Sequence, residues 1–177
     1  DALTVLGGDR SVGPPRCVEH AWQLRALIRG RVPALRLGGW ANPFRDATQQ
    51  VGFLADPRET ADFFLTQVVS HHDAARTEAF WAALRRRDIT LPGLAGIFHY
   101  RSANPRTLER LSHFLPVPAE GITREFEAGL SGEEQTARSI RAAFDAGAPG
   151  VYISNLGLRG AGRTLRRILE HVHAPTP

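Results

Sequence analysis

Residues able to do polar chemistry gather directly behind short apolar runs. Gly7-Gly8-Asp9-Arg10 follows the run Leu3 to Leu6. Gly38-Gly39-Trp40-Ala41-Asn42-Pro43 closes a second run that begins at Leu35. A third, Phe63 to Val69, carries Thr66-Gln67 and leads into Ser70-His71-His72-Asp73. Leu94 to Phe98 leads into His99-Tyr100-Arg101, and Val151 to Ser154 leads into Asn155. Glycine lets a ligand approach the backbone closely. Trp40, Phe98 and Tyr100 offer flat faces for a heterocycle. Gln67 and Asn155 each present a donor and an acceptor, which suits the edge of an amide-like ring. Asp9 is the carboxylate set directly behind glycines, placed to stabilise a cation or orient a ring nitrogen.

Other polar clusters read as structural. Neighbouring histidines on a strand or loop project apart, and no third ligand is close to His71-His72-Asp73 in sequence, so no metal is expected. Gly157-x-x-Gly160-x-Gly162 with Arg163 opens a helix but is not the full dinucleotide fingerprint, and it reads as a glycine-rich turn. Glu120, Arg124 and Glu125 lie on a helix behind Pro116 and Pro118, either bordering a ligand or forming a surface ion pair. Cys17, the single cysteine, has no catalytic signature around it and excludes an intramolecular disulfide.

The elements that must carry these residues alternate. The apolar runs start about 30 residues apart, the spacing of a βαβ unit, except for a last gap of about twice that length, which shows helices but no strand. Val18, Ala21, Trp22, Leu24 and Ile28 mark an apolar helix face. Ala74 to Arg87 reads as a helix burying Phe80, Trp81 and Leu84. Asn104-Pro105 is an N-cap with proline at the first helical position. Ser131 and Glu134 have capping-box spacing, with Ile140 and Phe144 facing inward behind them. Leu165, Ile168, Leu169 and Val172 form the stripe of a last helix.

This alternation argues for a single α/β domain over 1–177 with a parallel sheet. It fits five strands of an eight-stranded (β/α)8 TIM barrel, or a five-stranded doubly wound sheet binding a nucleotide. In both, ligands meet the carboxyl ends of the strands. Asp1 stands at the opening of the first run, as expected of part of a longer chain.

Composition narrows the class. The 177 residues are 42% hydrophobic and 23% charged, which argues against disorder. No apolar run nears a membrane span, and no signal peptide opens the sequence, so a cytoplasmic, non-membrane protein is expected. Lysine is absent, and all 22 basic residues are arginine. They are scattered along helix faces, and the run Arg85-Arg86-Arg87 closes a helix, where positive charge suits the dipole. The net charge of +4 is therefore not read as a nucleic-acid footprint.

Taken in order, the strand-end segments resemble the methylenetetrahydrofolate reductase family over nearly the whole chain. Leu6-Gly7-Gly8-Asp9 is similar to the family's Leu-Arg-Gly-Asp. Gly38-Gly39-Trp40-Ala41-Asn42 stands where it has the strand to Ala-Tyr-Pro-Glu. Ala61-Asp62-Phe63-Phe64-Leu65-Thr66-Gln67 resembles Ala-Asp-Phe-Ile-Ile-Thr-Gln, the most specific match, and the acid that follows resembles Asp73. Leu94-Ala95-Gly96-Ile97-Phe98 resembles the Pro-Gly-Ile strand, and Tyr152-Ile153-Ser154-Asn155 the closing Tyr-Thr-Leu-Asn strand.

The resemblance implies the last five strands of a TIM barrel that reduces 5,10-methylenetetrahydrofolate to 5-methyltetrahydrofolate with NADH or NADPH, through FAD or directly. The family's proton-donating glutamate lies on the first strand, outside this stretch, so the 177 residues alone are not expected to be fully active. Asp9 takes the catalytic place near the pterin. Gln67, with Phe98 and Asn155, would bind the folate substrate. Gly8, Trp40 and Asn42 would lie on the flavin side. There the departures concentrate: Gly7 replaces an arginine, Trp40-Ala41-Asn42-Pro43-Phe44-Arg45 replaces Tyr-Pro-Glu-x-His-Pro, and Ala47 to Thr60 is shortened. This favours a divergent, flavin-independent member. A folate- or heterocycle-binding barrel protein without reductase activity is the alternative. Exposed strand edges would leave room for a homo-oligomer.

Overall fold

The computed structural model describes residues 1–7 and 18–174. Five strands form one parallel sheet: β1 (Ala2–Thr4), β2 (Arg36–Ala41), β3 (Phe63–Val69), β4 (Gly93–Phe98) and β5 (Val151–Ser154). Their spatial order is the chain order, with no reversal, and the sheet curls into a half-barrel. Compared with the expected runs, β1 is shorter and β2 extends two residues further, so Trp40 and Ala41 belong to the strand itself.

Among the described residues, seven α-helices connect and flank the strands: α1 (Ala21–Arg31), α2 (Ala47–Leu54), α3 (Ala74–Arg86), α4 (Pro105–Ser112), α5 (Ala119–Glu127), α6 (Gly132–Asp145) and α7 (Ala161–His173). The long last gap holds α4, α5 and α6 and no strand, as read from the sequence. The helix starts are capped where the sequence provides oxygens. Asn104 accepts from Thr107 N–H with Pro105 behind it, and Ser131 and Glu134 satisfy each other's backbone N–H groups.

One face of the sheet makes the core. Ala41, Phe64, Val69, Ala95 and Ile97 meet Val51 of α2, Phe80 and Trp81 of α3, Ile140 of α6 and Ile168 of α7. Phe64, Phe80 and Trp81 form a mutually packed aromatic triad with ring centroids 5.3 to 6.1 Å apart. Each such side chain buried contributes roughly 1.5–3 kcal/mol. A smaller cluster of Tyr100, Leu108 and Ile122 seats α4 and α5 over the carboxyl end of β4.

The shortened stretch Ala47 to Thr60 holds a helix, started by Asp46 accepting from Gln49 N–H at 2.8 Å. Three expectations are corrected. Phe144 is 45% exposed, because the inward stripe of α6 runs through Ile140 and Ala143. Leu169 is likewise exposed, leaving Ile168 as the buried residue of α7. The buried residue of α1 is Arg25, not the predicted Leu24, which is exposed. Arg25 pairs with Glu59, whose carboxylate also receives the N–H groups of Thr60 and Ala61 at 2.9 Å. The polar partner on the shortened α2–β3 connection thus decides which face of α1 turns inward.

Among the described residues, no helix is long and apolar enough to cross a membrane.

Candidate functional site

The strand alternation sets which side chains reach the open face. Ala95 and Ile97 point into the helical layer, so Leu94, Gly96 and Phe98 point away from it. Val151 and Ile153 likewise pack inward, which turns Tyr152 to the open face.

A bulge re-aims the Thr66-Gln67 segment. Leu65 pairs with Leu94 but Val68 pairs with Gly96, so β3 carries one residue more than β4 between those points. A bulge breaks the regular ladder, and here side chains take up the backbone groups. Gly96 N–H donates to Thr66 Oγ1 at 3.0 Å, and Thr66 Oγ1 donates to the Gln67 carbonyl at 2.8 Å. The Tyr152 hydroxyl donates to the Thr66 carbonyl at 2.6 Å. Val68 N–H donates to Gln67 Oε1 at 2.9 Å. The Gln67 carboxamide oxygen therefore holds the bulge, and its Nε2 makes no hydrogen bond among the described residues.

The other two amides also serve the backbone. Asn42 Oδ1 accepts from Phe44 N–H at 3.0 Å, closing the turn after β2. Asn155 has a φ of 67°, a left-handed conformation that asparagine tolerates. Its Nδ2 donates to the His99 carbonyl at 2.9 Å, tying the end of β5 to the end of β4.

Two of the expected binding residues come together. Phe98 and Asn155 line one cavity of about 280 Å³ with Tyr100, Arg101, Thr107 and Leu111. The Phe98 and Tyr100 rings lie 4.8 Å apart. Burial raises the Tyr100 hydroxyl out of the range in which it could act as a base, and Asp73 adds to the effect. Trp40 lies elsewhere, in a cavity of about 410 Å³ with Val5, Gly7, Trp22, Arg25 and Phe53. Gly8 and Asp9 lie outside the described residues, as does Cys17.

The glycine-rich segment after β5 behaves as a turn. Gly157 and Gly160 have φ of 87° and 76°, and Gly160 stands at the N-cap of α7.

The histidine pair corrects the sequence reading. His71–Asp73 forms one turn of 3-10 helix between β3 and α3, not a strand or open loop. Consecutive side chains of such a turn project about 120° apart, yet the two imidazoles meet, with centroids 4.0 Å apart. A third ligand-type group arrives from far along the chain. Glu125 of α5 lies 2.9 Å from His71 Nε2 through Oε1 and 3.5 Å from His72 Nε2 through Oε2. Arg138 Nη1 shares Glu125 Oε1 at 2.9 Å, so the expected ion pair exists but with α6, not with the neighbouring Arg124. His71 Nδ1 meets Ser139 Oγ at 3.0 Å. Ligand atoms of His71, His72 and Glu125 all lie within 4.8 Å of one another.

Burial pushes His71 below the ordinary histidine range, although its hydrogen bond to Glu125 pulls the other way. The neutral ring then donates through Nε2 to Glu125 and accepts at Nδ1 from the Ser139 hydroxyl. Burial alone would raise Glu125, but His71 and Arg138 hold its carboxyl below the usual range. No sequence periodicity pairs His71 with Glu125. The only signal was the carboxylate on a helix behind two prolines.

His99, also at the end of β4, is buried and hydrogen-bonded at 2.9 Å through Nδ1 to Thr136 Oγ1. Thr136 spends its own proton on the Gly132 carbonyl at 2.7 Å, so Nδ1 carries the hydrogen. Burial lowers its basicity. It positions α6 against β4.

Neither the models of known protein families nor the curated proteins give a match to this chain.

Proposed function

We propose that the chain is the carboxyl-terminal five-strand part of a (β/α)8 barrel that reduces 5,10-methylenetetrahydrofolate to 5-methyltetrahydrofolate. One observation carries the reading. The segments that resemble the reductase family fall in the family's order along five consecutive parallel strands. A doubly wound sheet needs a reversal of strand order to make its ligand crevice, and this order has none. A sequential order is what a barrel wall requires.

In this reading Asp9 is the carboxylate that stabilises the cationic N5 iminium form of the folate by lowering the energy of the developing charge. When bound, NADH or NADPH would supply the hydride for the methylene carbon, and one proton from solvent would balance the opening of the C–N10 bond. Gln67 Nε2, free of the bulge, offers a donor to the pterin. Phe98 and Asn155 border the same carboxyl-end face through their shared cavity.

The residues on the flavin side do not suit FAD. Asn42 is committed to its own turn, and Trp40 adds only an aromatic face beside the Arg25–Glu59 pair. The reading therefore takes hydride directly from the nicotinamide, and no step is assigned to FAD.

The test is binding and turnover by the purified chain. Methyltetrahydrofolate should bind at or below about 1 mM, the upper range of substrate constants. Asp9→Asn should lower any NADH-dependent turnover far more than it weakens folate binding. Absence of folate binding sinks the reading. Binding without NADH oxidation, in a chain supplied with the remaining barrel strands, would favour a folate-binding protein instead.

A further inference from the structure

We propose that His71, His72 and Glu125 form a binding site for a divalent transition-metal ion, with zinc the best-matched ion. Two imidazoles and one carboxylate are ligands that zinc accepts, and three protein ligands leave a fourth position open. Zinc bonds of about 2.0–2.1 Å at tetrahedral angles put neighbouring ligand atoms roughly 3.3 Å apart. The shortest separations, His71 Nε2 to Glu125 Oε1 at 2.9 Å and His72 Nε2 to Glu125 Oε2 at 3.5 Å, lie near that value but use different carboxylate oxygens. With one atom from each residue the three groups lie within 4.8 Å of one another, and side-chain rotation that draws the wider edge in closes the site.

Two further observations fit an ion. Glu125 Oε2 is buried and has no hydrogen-bond partner among the described residues. Burying a carboxylate oxygen without a partner is costly, and a cation at this point would remove the cost. Second, Ser139 stands behind His71 as the partner of its distal nitrogen. On ion binding His71 Nε2 gives up its hydrogen, Nδ1 becomes the donor, and the Ser139 hydroxyl rotates to accept. Such a partner fixes the tautomer and ring of a metal-bound histidine.

Arg138 is the opposing term, since it holds Glu125 Oε1 at 2.9 Å. Its side chain is 47% exposed, whereas that of Glu125 is 13% exposed, and a bound ion would take over its charge beside the carboxylate. It can swing into solvent when the ion takes its place. The open position has room: His72 lines a cavity of about 500 Å³ with Val117, Pro118, Gly121 and Arg124. The Gly121 backbone packs on the His72 ring so closely that a Cβ there would lie 2.5 Å from it, which fixes the ring against α5.

The experiment titrates the purified full chain with Zn²⁺ alone against a chromogenic chelator, and with Co²⁺ for its visible spectrum. One equivalent per chain should bind, and Co²⁺ should give the intense bands of a four-coordinate centre. His71→Ala, His72→Ala and Glu125→Gln should each weaken Zn²⁺ at least about tenfold, and Ser139→Ala about tenfold, the lower range for a supporting partner. Gly121→Ala, which disturbs the His72 ring, should also weaken it. Saturable binding that survives all three ligand substitutions would assign the ion to other histidines and overturn the proposal, as would no saturable binding. Should circular dichroism show that His71→Ala does not fold, His72→Ala and the cobalt spectrum of the unaltered chain still decide it.

Discussion

The Tyr152 hydroxyl crosses over Gly96 of β4 to donate to the Thr66 carbonyl of β3, 2.6 Å away. A Cβ at Gly96 would lie 2.6 Å from that oxygen and 3.0 Å from the Thr66 carbonyl oxygen. The glycine is thus required by a phenol that reaches from the second strand over. The phenol in turn serves a carbonyl at the bulge, so three strands are joined at one point.

Tyr152→Phe should therefore destabilise the chain by about 1–3 kcal/mol, the cost of leaving a buried acceptor unmet. Gly96→Ala should cost at least as much, because the phenol and the Thr66 carbonyl cannot both yield. If both substitutions act through the same bond, the double variant should be less destabilised than the sum. Urea unfolding midpoints with unchanged slope would measure this. Burial pushes the Tyr152 phenol up to about 12, so ultraviolet titration should find it ionising after an exposed tyrosine. Additive effects, or an ordinary titration, would break the assignment.

A second joint lies at the amino ends of the strands. Asp62 Oδ2 accepts from Leu37 N–H and from Arg29 Nη2, each at 2.7 Å, and Arg36 stands 3.7 Å from Oδ1. The Leu37 amide, more than the arginines, holds this carboxyl below the usual range. A carboxyl depressed in the folded state binds its proton more readily when unfolded. Its stabilisation is present above the unfolded value, about 3.9, and is lost as pH falls through the lower folded value. Stability should therefore decline as pH drops below about 4, and Asp62→Asn should flatten that decline while lowering stability at neutral pH. Equilibrium unfolding from pH 7 to pH 3 would test both. An unchanged acid slope in Asp62→Asn would assign the decline to other carboxyls.

These two joints mark what the sequence could and could not reveal. Short apolar runs and their 30-residue spacing were sufficient for the strands, because burial against helices imposes them locally. Phe64, Phe80, Trp81, Ile140 and Ile168 could be read for the same reason. Phe144 could not, since the apolar stripe of α6 is satisfied by alanines beside it. The bulge at Thr66-Gln67 has no periodic signature, because one extra residue on one strand is set by the partner strand. Arg25 and Glu125 show the same limit in polar form. Each is paired with a group more than 30 residues away, and no local periodicity announces that pairing.

Gln67 brings the bulge and the proposed site into one side chain, and two substitutions separate its duties. Its Oε1 accepts from Val68 N–H, while its Nε2 has no partner among the described residues. Gln67→Leu removes both groups and should destabilise the chain by about 1–3 kcal/mol, since the Val68 amide loses its acceptor. Gln67→Glu keeps an acceptor for Val68 and removes the donor, so its unfolding midpoint should stay near that of the unaltered chain. A pterin edge that accepts from Nε2 would meet a carboxylate oxygen instead in Gln67→Glu. Unmatched buried polar groups are rejected strongly, so folate binding should weaken at least about tenfold. If Gln67→Glu binds folate as well as the unaltered chain, Gln67 holds the bulge and nothing more. The proposed mouth would then rest on Asp9, Phe98 and Asn155.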